Sequence, residues 1–193
     1  MRILDATCPF VQRSQHFARR ISEDGRRLII VGDPSHPEVQ AVAGHAAGNA
    51  LIVRRPEDAE AAPPLDRAGV VIQTTFPSSE AERVVAALRS RTANLLVHDT
   101  ICEATETRRK AALELAGRVD IMLVIGGRNS SNTRRLYETC AGTGLHSRLV
   151  ESPSDIAPEW FAGVERIGII TGTSTPDWLI DAIVERLAEI GRE

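Results

Sequence analysis

Aromatic side chains are scarce: four Phe, two Trp and one Tyr make up 4% of the 193 residues. A core with so few rings must be filled by Val, Ile, Leu and Ala, the usual interior of parallel sheets covered by helices, and an all-β sandwich is disfavoured. Positive charge is not in excess either. Lys and Arg number 23 against 26 Asp and Glu, a net charge of -3, which leaves nothing to attract a nucleic-acid backbone and excludes nucleic acid as a partner. Cysteine is limited to three, an odd number without close spacing, which argues against a disulfide framework and for reduced thiols in the cytosol. Long apolar runs are missing, and those at 28–31 and 121–125 fall far short of the roughly 20 residues of a bilayer span. Asp5 follows Met1-Arg2-Ile3-Leu4 before a signal-peptide core can form, so the chain is expected to be cytoplasmic with no membrane partner. No Walker loop, Rossmann glycine fingerprint or nucleophile elbow occurs in the sequence.

What is present is ordinary for a globular enzyme, with 42% hydrophobic and 25% charged residues. Short β-branched runs at 28–31, 51–53, 70–73, 95–97, 121–125, 148–150 and 167–171 predict seven buried strands. Helical spacing marks 11–21, 79–88, 105–116 and 178–190, the last opened by Thr175 as an N-cap and Pro176 at the first helical position. Strands alternating with helices give an α/β fold.

The chain also repeats itself. Asp5-Ala6-Thr7-Cys8 recurs as Asp99-Thr100-Ile101-Cys102, 94 residues on, and the same offset carries Val31-Gly32 onto Ile125-Gly126 and Ser35-His36-Pro37-Glu38 onto Asn129-Ser130-Ser131-Asn132. At an offset of 99, Gln73-Thr74-Thr75-Phe76-Pro77 aligns with Gly172-Thr173-Ser174-Thr175-Pro176. A duplicated unit of about 95 residues predicts two pseudo-repeated, three-layer α/β domains with small parallel sheets, 1–98 and 99–193. In each copy the polar loops follow strand ends, and in parallel sheets such loops gather at the carboxyl edge, where helix N-termini suit anions.

Several side chains in these loops carry chemistry. Cys8 and Cys102 occupy matching positions, and thiolates converging on one point would suit iron–sulfur ligation. Cys140 has no counterpart and reads as a packing residue. His36 can bind phosphate and Glu38 can move a proton, while Ser130, Ser131 and Asn132 offer donors in the equivalent loop. Thr74, Thr75, Thr173, Ser174 and Thr175 add hydroxyls. His16, His45, His98 and His146 lack such company and read as structural or solvent-facing.

Taken together, Asp5-Ala6-Thr7-Cys8-Pro9, His36-Pro37-Glu38-Val39, Gln73-Thr74-Thr75, Ile101-Cys102-x-Ala104-Thr105, Asn129-Ser130-Ser131-Asn132 and Gly172-Thr173-Ser174-Thr175-Pro176 resemble the 4-hydroxy-3-methylbut-2-enyl diphosphate reductase family, which performs the last step of the methylerythritol phosphate route to isoprenoids. The resemblance runs in order along nearly the whole chain. It implies a [4Fe-4S] enzyme of three similar α/β domains around a central cluster, one cysteine from each, with the duplicated unit standing as the second and third domains. It implies cluster ligation by Cys8 and Cys102, and a proton relay of Glu38 with Thr74 beside it. It further implies a diphosphate site of His36, Thr74, Ser130, Asn132 and Ser174 with Ser131 nearby. The implied product is isopentenyl and dimethylallyl diphosphate, and the implied electron donor is a ferredoxin or flavodoxin.

One part of the family pattern is missing. The family's first domain carries a Gly-Phe-Cys-Ala-Gly type motif with the third cysteine ligand, and two histidines of the active site; none of these stands in this sequence. Arg2-Ile3-Leu4 reads as the end of a strand entering the Cys8 loop, so the expectation is either a truncated reading of a longer protein or completion by a separate chain. The alternative class is a diphosphate-binding module that kept its loops and lost redox chemistry. A thiol hydrolase pairing Cys8 with His36 is disfavoured, because no orienting partner stands at a credible position.

Overall fold

The computed structural model describes residues 4–46 and 50–192. It divides into two compact units, Met1–Cys102 and Glu103–Glu193. The strand end expected at Arg2-Ile3-Leu4 falls largely outside the described residues, and Leu4 itself is exposed without regular structure.

In unit 1 the order is α1 (Pro9–Glu23), β1 (Arg27–Val31), α2 (Pro37–Ala43), β2 (Ala50–Val53), α3 (Pro56–Ala61), β3 (Leu65–Ile72), α4 (Ser78–Arg91) and β4 (Thr92–His98). The sheet runs β2-β1-β3-β4 and every pairing is parallel. Successive side chains of a strand point to opposite faces. Leu28 and Ile30 of β1 accordingly pack with Ala18 and Ile21 of α1 and with Val39 and Val42 of α2, while Ile29 and Val31 pack with Ala59 of α3 and Ala81, Val84 and Leu88 of α4. Three layers result, with the apolar run of β1 buried on both sides.

Unit 2 contains α5 (Glu103–Ala116), β5 (Ile121–Ile125), α6 (Ser131–Ala141), β6 (His146–Val150), β7 (Ile167–Thr171) and α7 (Asp177–Ile190). Its parallel sheet runs β6-β5-β7, the same order as β2-β1-β3. Met122 and Val124 face Ala112 of α5 and Leu136 and Cys140 of α6, while Leu123 and Ile125 face Leu179 and Ile183 of α7.

The correspondence reaches individual contacts. A Cβ added at Gly69 would come within 2.6 Å of Ile21, and one at Gly168 would come within 3.2 Å of Leu115. These glycines let α1 and α5 lie against β3 and β7, and Ile21 and Leu115 are the same position of the repeat, 94 residues apart. Burying a side chain like Ile21 stabilises by about 1.5–3 kcal/mol.

Two details differ from the sequence reading. Residues 56–61 form a helix that the repeat pattern did not indicate; it is held by Asp58, whose Oδ2 accepts from the backbone N–H groups of Arg54 and Arg55 at 2.9 Å each. Thr175 does not cap α7, whose N-cap is Pro176. The Thr175 hydroxyl donates instead to the carbonyl of Ile125 at 3.0 Å, fastening the loop after β7 to the end of β5.

Candidate functional site

The chemistry-bearing loops follow the carboxyl ends of the strands. In unit 1 the turn after β1 is set by Asp33, whose Oδ1 accepts from the Ser35 backbone at 2.9 Å and the Ser35 hydroxyl at 2.7 Å. Those two bonds hold the Asp33 carboxyl below its usual range. His36 then caps α2, its Nδ1 accepting from the Glu38 N–H at 3.1 Å. A ring nitrogen that accepts must be unprotonated, so the proton of the neutral imidazole sits on Nε2 and is available to a ligand.

Glu38 follows in the first turn and is 9% exposed. Its Oε1 accepts from the Thr74 N–H and its Oε2 from the Thr74 hydroxyl, both at 2.7 Å. A buried carboxyl at this depth needs such partners, since losing them costs far more than a neutral bond. Thr74 is equally engaged on its other side: its carbonyl accepts from the backbone N–H of Cys102 at 2.8 Å. One residue therefore joins the carboxyl of Glu38 to the thiol-bearing loop. Gln73 ties the neighbouring loop down, accepting from Asp33 N–H at 2.9 Å and donating to the Thr75 hydroxyl at 3.1 Å.

Both cysteines of the repeat stand immediately before a helix, Cys8 as the N-cap of α1 and Cys102 just ahead of α5. Each is preceded by the same turn. Asp5 Oδ1 accepts from Thr7 N–H at 2.9 Å, and Asp99 Oδ1 accepts from Ile101 N–H at 3.0 Å. Cys8 is exposed and Cys102 half-buried, whereas Cys140 lies in the core, where burial pushes its thiol up to about 11. Cys8 and Cys102 thus stand in matching places at helix starts. Among the described residues no three His, Cys, Asp or Glu side chains gather as a metal-binding group.

In unit 2 the equivalent loops present donors. Ser130 caps α6, accepting from Thr133 N–H at 3.3 Å. Asn132, 7% exposed, donates from Nδ2 to the Thr173 hydroxyl at 3.4 Å, and its Oδ1 is buried without a partner. The free Oδ1 can take only a donor, so what this amide can offer an anion is the second hydrogen of Nδ2. Ser131 is half-buried beside them, and Ser174 is exposed in the following loop. Gly126 ends β5 at φ +145, and a Cβ there would meet the Thr133 hydroxyl at 2.7 Å, so the two loops close up only around a glycine.

The structure therefore gathers His36, Glu38, Thr74 and Cys102 in unit 1. Unit 2 holds Ser130, Ser131, Asn132 and Ser174, and Cys8 stands at the head of α1. The sequence reading did not assign Gln73 a role, and it counted Thr173 only among the loop hydroxyls. Thr100 was missed altogether: it is buried, and its hydroxyl bonds both the N–H and the carbonyl of Ile72. The signal available for these was their place in the repeat.

A family model described as LytB protein matches residues 1–188. Relatives named 4-hydroxy-3-methylbut-2-enyl diphosphate reductase include that of Citrifermentans bemidjiense, 41% identical over 193 residues, with all of this chain matched to 68% of the relative. The reductase of Geobacter metallireducens is also 41% identical, over 98% of this chain and 67% of its own length. Among solved structures, the E-1-hydroxy-2-methyl-but-2-enyl-4-diphosphate reductase of Plasmodium falciparum matches 96% of this chain and 59% of its own with a TM-score of 0.87; at 24% identity this likeness concerns the fold. A second structure, of the (E)-4-hydroxy-3-methyl-but-2-enyl diphosphate reductase that is the terminal enzyme of the non-mevalonate pathway, is 34% identical over 97% of this chain and 68% of its own, with a TM-score of 0.60.

Proposed function

The chain belongs to the LytB protein family, and from that premise we propose that it forms the larger part of a 4-hydroxy-3-methylbut-2-enyl diphosphate reductase, its two units standing as the second and third domains of the family. The observation that carries the reading is the shared residue Thr74, which bonds the Glu38 carboxyl through N–H and hydroxyl and the Cys102 loop through its carbonyl. A proton source is thereby tied to a candidate metal ligand.

The donor set suits an iron–sulfur cluster as far as it extends. Cys8 and Cys102 are accessible thiols in equivalent settings, and the third thiol, Cys140, is withdrawn into the core. When bound, a [4Fe-4S] cluster supplies electrons and a Lewis-acidic iron for the substrate hydroxyl. Cys8 and Cys102 would hold it, and the third cysteine ligand would come from outside this chain. Diphosphate binding is assigned in unit 1 to His36, donating from Nε2, and in unit 2 to the hydroxyls of Ser130 and Ser174 and the second Nδ2 hydrogen of Asn132, with Ser131 alongside. Glu38, steadied by Thr74, gives its proton to the departing hydroxyl. Overall the C–O bond breaks, two electrons and two protons are taken up, and water leaves with isopentenyl or dimethylallyl diphosphate as the other product. A reduced ferredoxin or flavodoxin is the fitting electron source, and the cytoplasm the fitting compartment. Among the described residues no helix is long and apolar enough to cross a membrane.

The test is anaerobic loading with iron and sulfide, with and without a polypeptide equivalent to the third of the Citrifermentans relative that this chain leaves unmatched. Retained iron, the paramagnetic resonance spectrum and product formation from 4-hydroxy-3-methylbut-2-enyl diphosphate are then measured. A stable cluster and turnover are expected only with both polypeptides. Tight diphosphate binding with no cluster under either condition would replace this reading with that of a binding module.

A further inference from the structure

The chain holds one tyrosine and two tryptophans. The tyrosine, Tyr137, and one of the tryptophans, Trp160, meet in unit 2, in a cleft of about 620 Å³ that they share with Leu149 and three arginines, Arg128, Arg134 and Arg148. A cleft of this volume is large enough for a small molecule. It straddles an edge of the unit 2 sheet, because β6 pairs with β5 alone. Tyr137 belongs to the packing around α6 on one face of that sheet, and Trp160 to the packing around α7 on the other. The loop of Thr173 and Ser174 stands elsewhere: it follows β7, which lies on the opposite side of β5 from β6. Only Arg128, two residues before Ser130, lies near both places in sequence.

The charged groups of the cleft divide into engaged and free. Arg128 donates from Nε to Glu151 at 2.9 Å and lies 3.9 Å from Asp155, whose Oδ2 accepts from the N–H groups of Glu151 and Ser152. Arg148 has only the ring of Trp160, with its guanidinium carbon 5.3 Å from the centroid. Arg134, exposed on α6, makes no side-chain hydrogen bond or ion pair among the described residues, and neither does the hydroxyl of half-buried Tyr137. The sheet edge adds a backbone donor. Gly126 N–H donates to the Val150 carbonyl at 3.0 Å, so Val150 and Arg148 turn their backbone groups toward β5, and Leu149 turns its N–H outward. Two guanidiniums, a hydroxyl and an outward N–H therefore stand beside apolar surface from Tyr137, Leu149 and Trp160. Glu138, one turn on from Arg134, lines the cleft as a carboxylate with no partner among the described residues, and it repels an anion from its own end.

We propose that this cleft binds an organic diphosphate, its phosphates taken by Arg134 and Arg148 and its carbon body lying against Tyr137, Leu149 and Trp160. A guanidinium fork matches phosphate oxygens in pairs, and an arginine laid over an indole ring keeps its N–H edge for them. A bare phosphate would leave the apolar lining unused. The body is a branched prenyl chain or a nucleoside, since an aromatic ring and a leucine offer contact area to either. The proposal rests on the geometry of unit 2 alone and is independent of the reductase reading.

Titration calorimetry on this chain tests it, with dimethylallyl diphosphate, ADP and inorganic pyrophosphate as probes. Emission is followed in parallel in Trp178→Phe, which leaves Trp160 as the sole tryptophan. At least one organic probe should bind about tenfold or more tightly than pyrophosphate and change the Trp160 emission, and the tighter of the two names the source of the ligand. Arg134→Ala and Arg148→Ala should each weaken that binding by about tenfold or more. Arg134 is exposed and bears no partner among the described residues, so its removal leaves the fold intact. Glu138→Gln should strengthen binding about threefold by removing a nearby like charge. Failure of both organic probes to bind, equal binding of pyrophosphate, or binding without a change at Trp160 would each overturn the proposal. So would binding that survives both arginine variants but falls in Ser174→Ala, which would place the ligand at the loop after β7. Because neither cluster nor turnover is needed, failure here leaves the reductase reading standing, and failure of that reading leaves the cleft untouched.

Discussion

Where unit 1 carries Glu38, unit 2 carries Asn132, and where unit 1 bonds Glu38 to Thr74, unit 2 bonds Asn132 to Thr173. The backbone frame is shared almost bond for bond. Gly32 N–H donates to Val53 and Gly126 N–H to Val150, both at 3.0 Å; Gln73 N–H donates to Val31 at 2.8 Å and Gly172 N–H to Ile125 at 3.0 Å. Against that constant frame, one unit presents an acid held by two donors and the other a neutral amide that donates from Nδ2. A carboxylate would repel a phosphate, and an amide cannot deliver a proton at neutral pH. Under the proposed function, this difference assigns proton delivery to the acid of unit 1 and leaves the amide of unit 2 to bind. The loop ties run with opposite sign: Asp33 pairs with Arg54 at 3.0 Å in unit 1, and Arg128 pairs with Glu151 at 2.9 Å in unit 2.

The widest gap between the units should appear in kinetics of the completed enzyme with its missing portion and a strong reductant supplied. Glu38→Gln should lower turnover by about 10²–10⁴ with little change in KM. Asn132→Ala should chiefly raise KM, by roughly 10-fold or more for a lost bond to a charged group. If both variants moved the same parameter, the division of roles between the units would be wrong.

The packing equivalence can be tested by filling the two glycines. Gly69→Val and Gly168→Val should each destabilise by about 1–3 kcal/mol through overpacking, read from urea unfolding. Gly69 should be the worse, since its nearest neighbour lies at 2.6 Å against 2.9 Å for Gly168. Equal tolerance at both would mean that α1 and α5 can move away from the sheet.

A subtler asymmetry concerns pH. His98 stacks on Phe17 with centroids 4.0 Å apart, and burial, aided by Arg20 and Arg13, lowers its pKa from the usual 6.5. The unfolded chain therefore takes up this proton first as pH falls. The His98 contribution is complete above about pH 6.5 and is lost as pH drops below it toward the lowered folded value. In His98→Phe the slope of stability against pH in that window should shrink, and an unchanged slope would assign it to another group. The smallest effects belong to the exposed ion pairs: Arg54→Ala and Arg128→Ala should each cost under about 1 kcal/mol in chemical denaturation. A larger loss at one of them would show that its loop tie bears weight the other does not.

Seven strands were legible because β-branched runs bounded by glycine have few other readings, and β1 and β5 end at the predicted residues Val31 and Ile125. Helix α3 was not legible: six residues hold less than two turns of periodicity, and its cap is an aspartate inside the helix. Thr175 misled because a hydroxyl before proline is a good cap by composition, and only the tertiary fold reveals the Ile125 carbonyl within its reach. In the site, Glu38 and Thr74 were named together through the family resemblance, as 36 intervening positions carry no spacing signal. The bond from Cys102 N–H to Thr74 carbonyl was not legible at all, since a backbone bond between loops leaves no mark on residue type.

Thr74 also acts as a ruler. The span from the Glu38 carboxyl to the Cys102 backbone crosses a pair of hydrogen bonds at one end, a single one at the other, and otherwise only the covalent skeleton of one residue, whose planar amides flex little. Breathing of α2 against the sheet must stretch these bonds before it changes the span. Over the range in which these bonds hold, carboxyl and thiol loop travel together, and their spacing is fixed within unit 1.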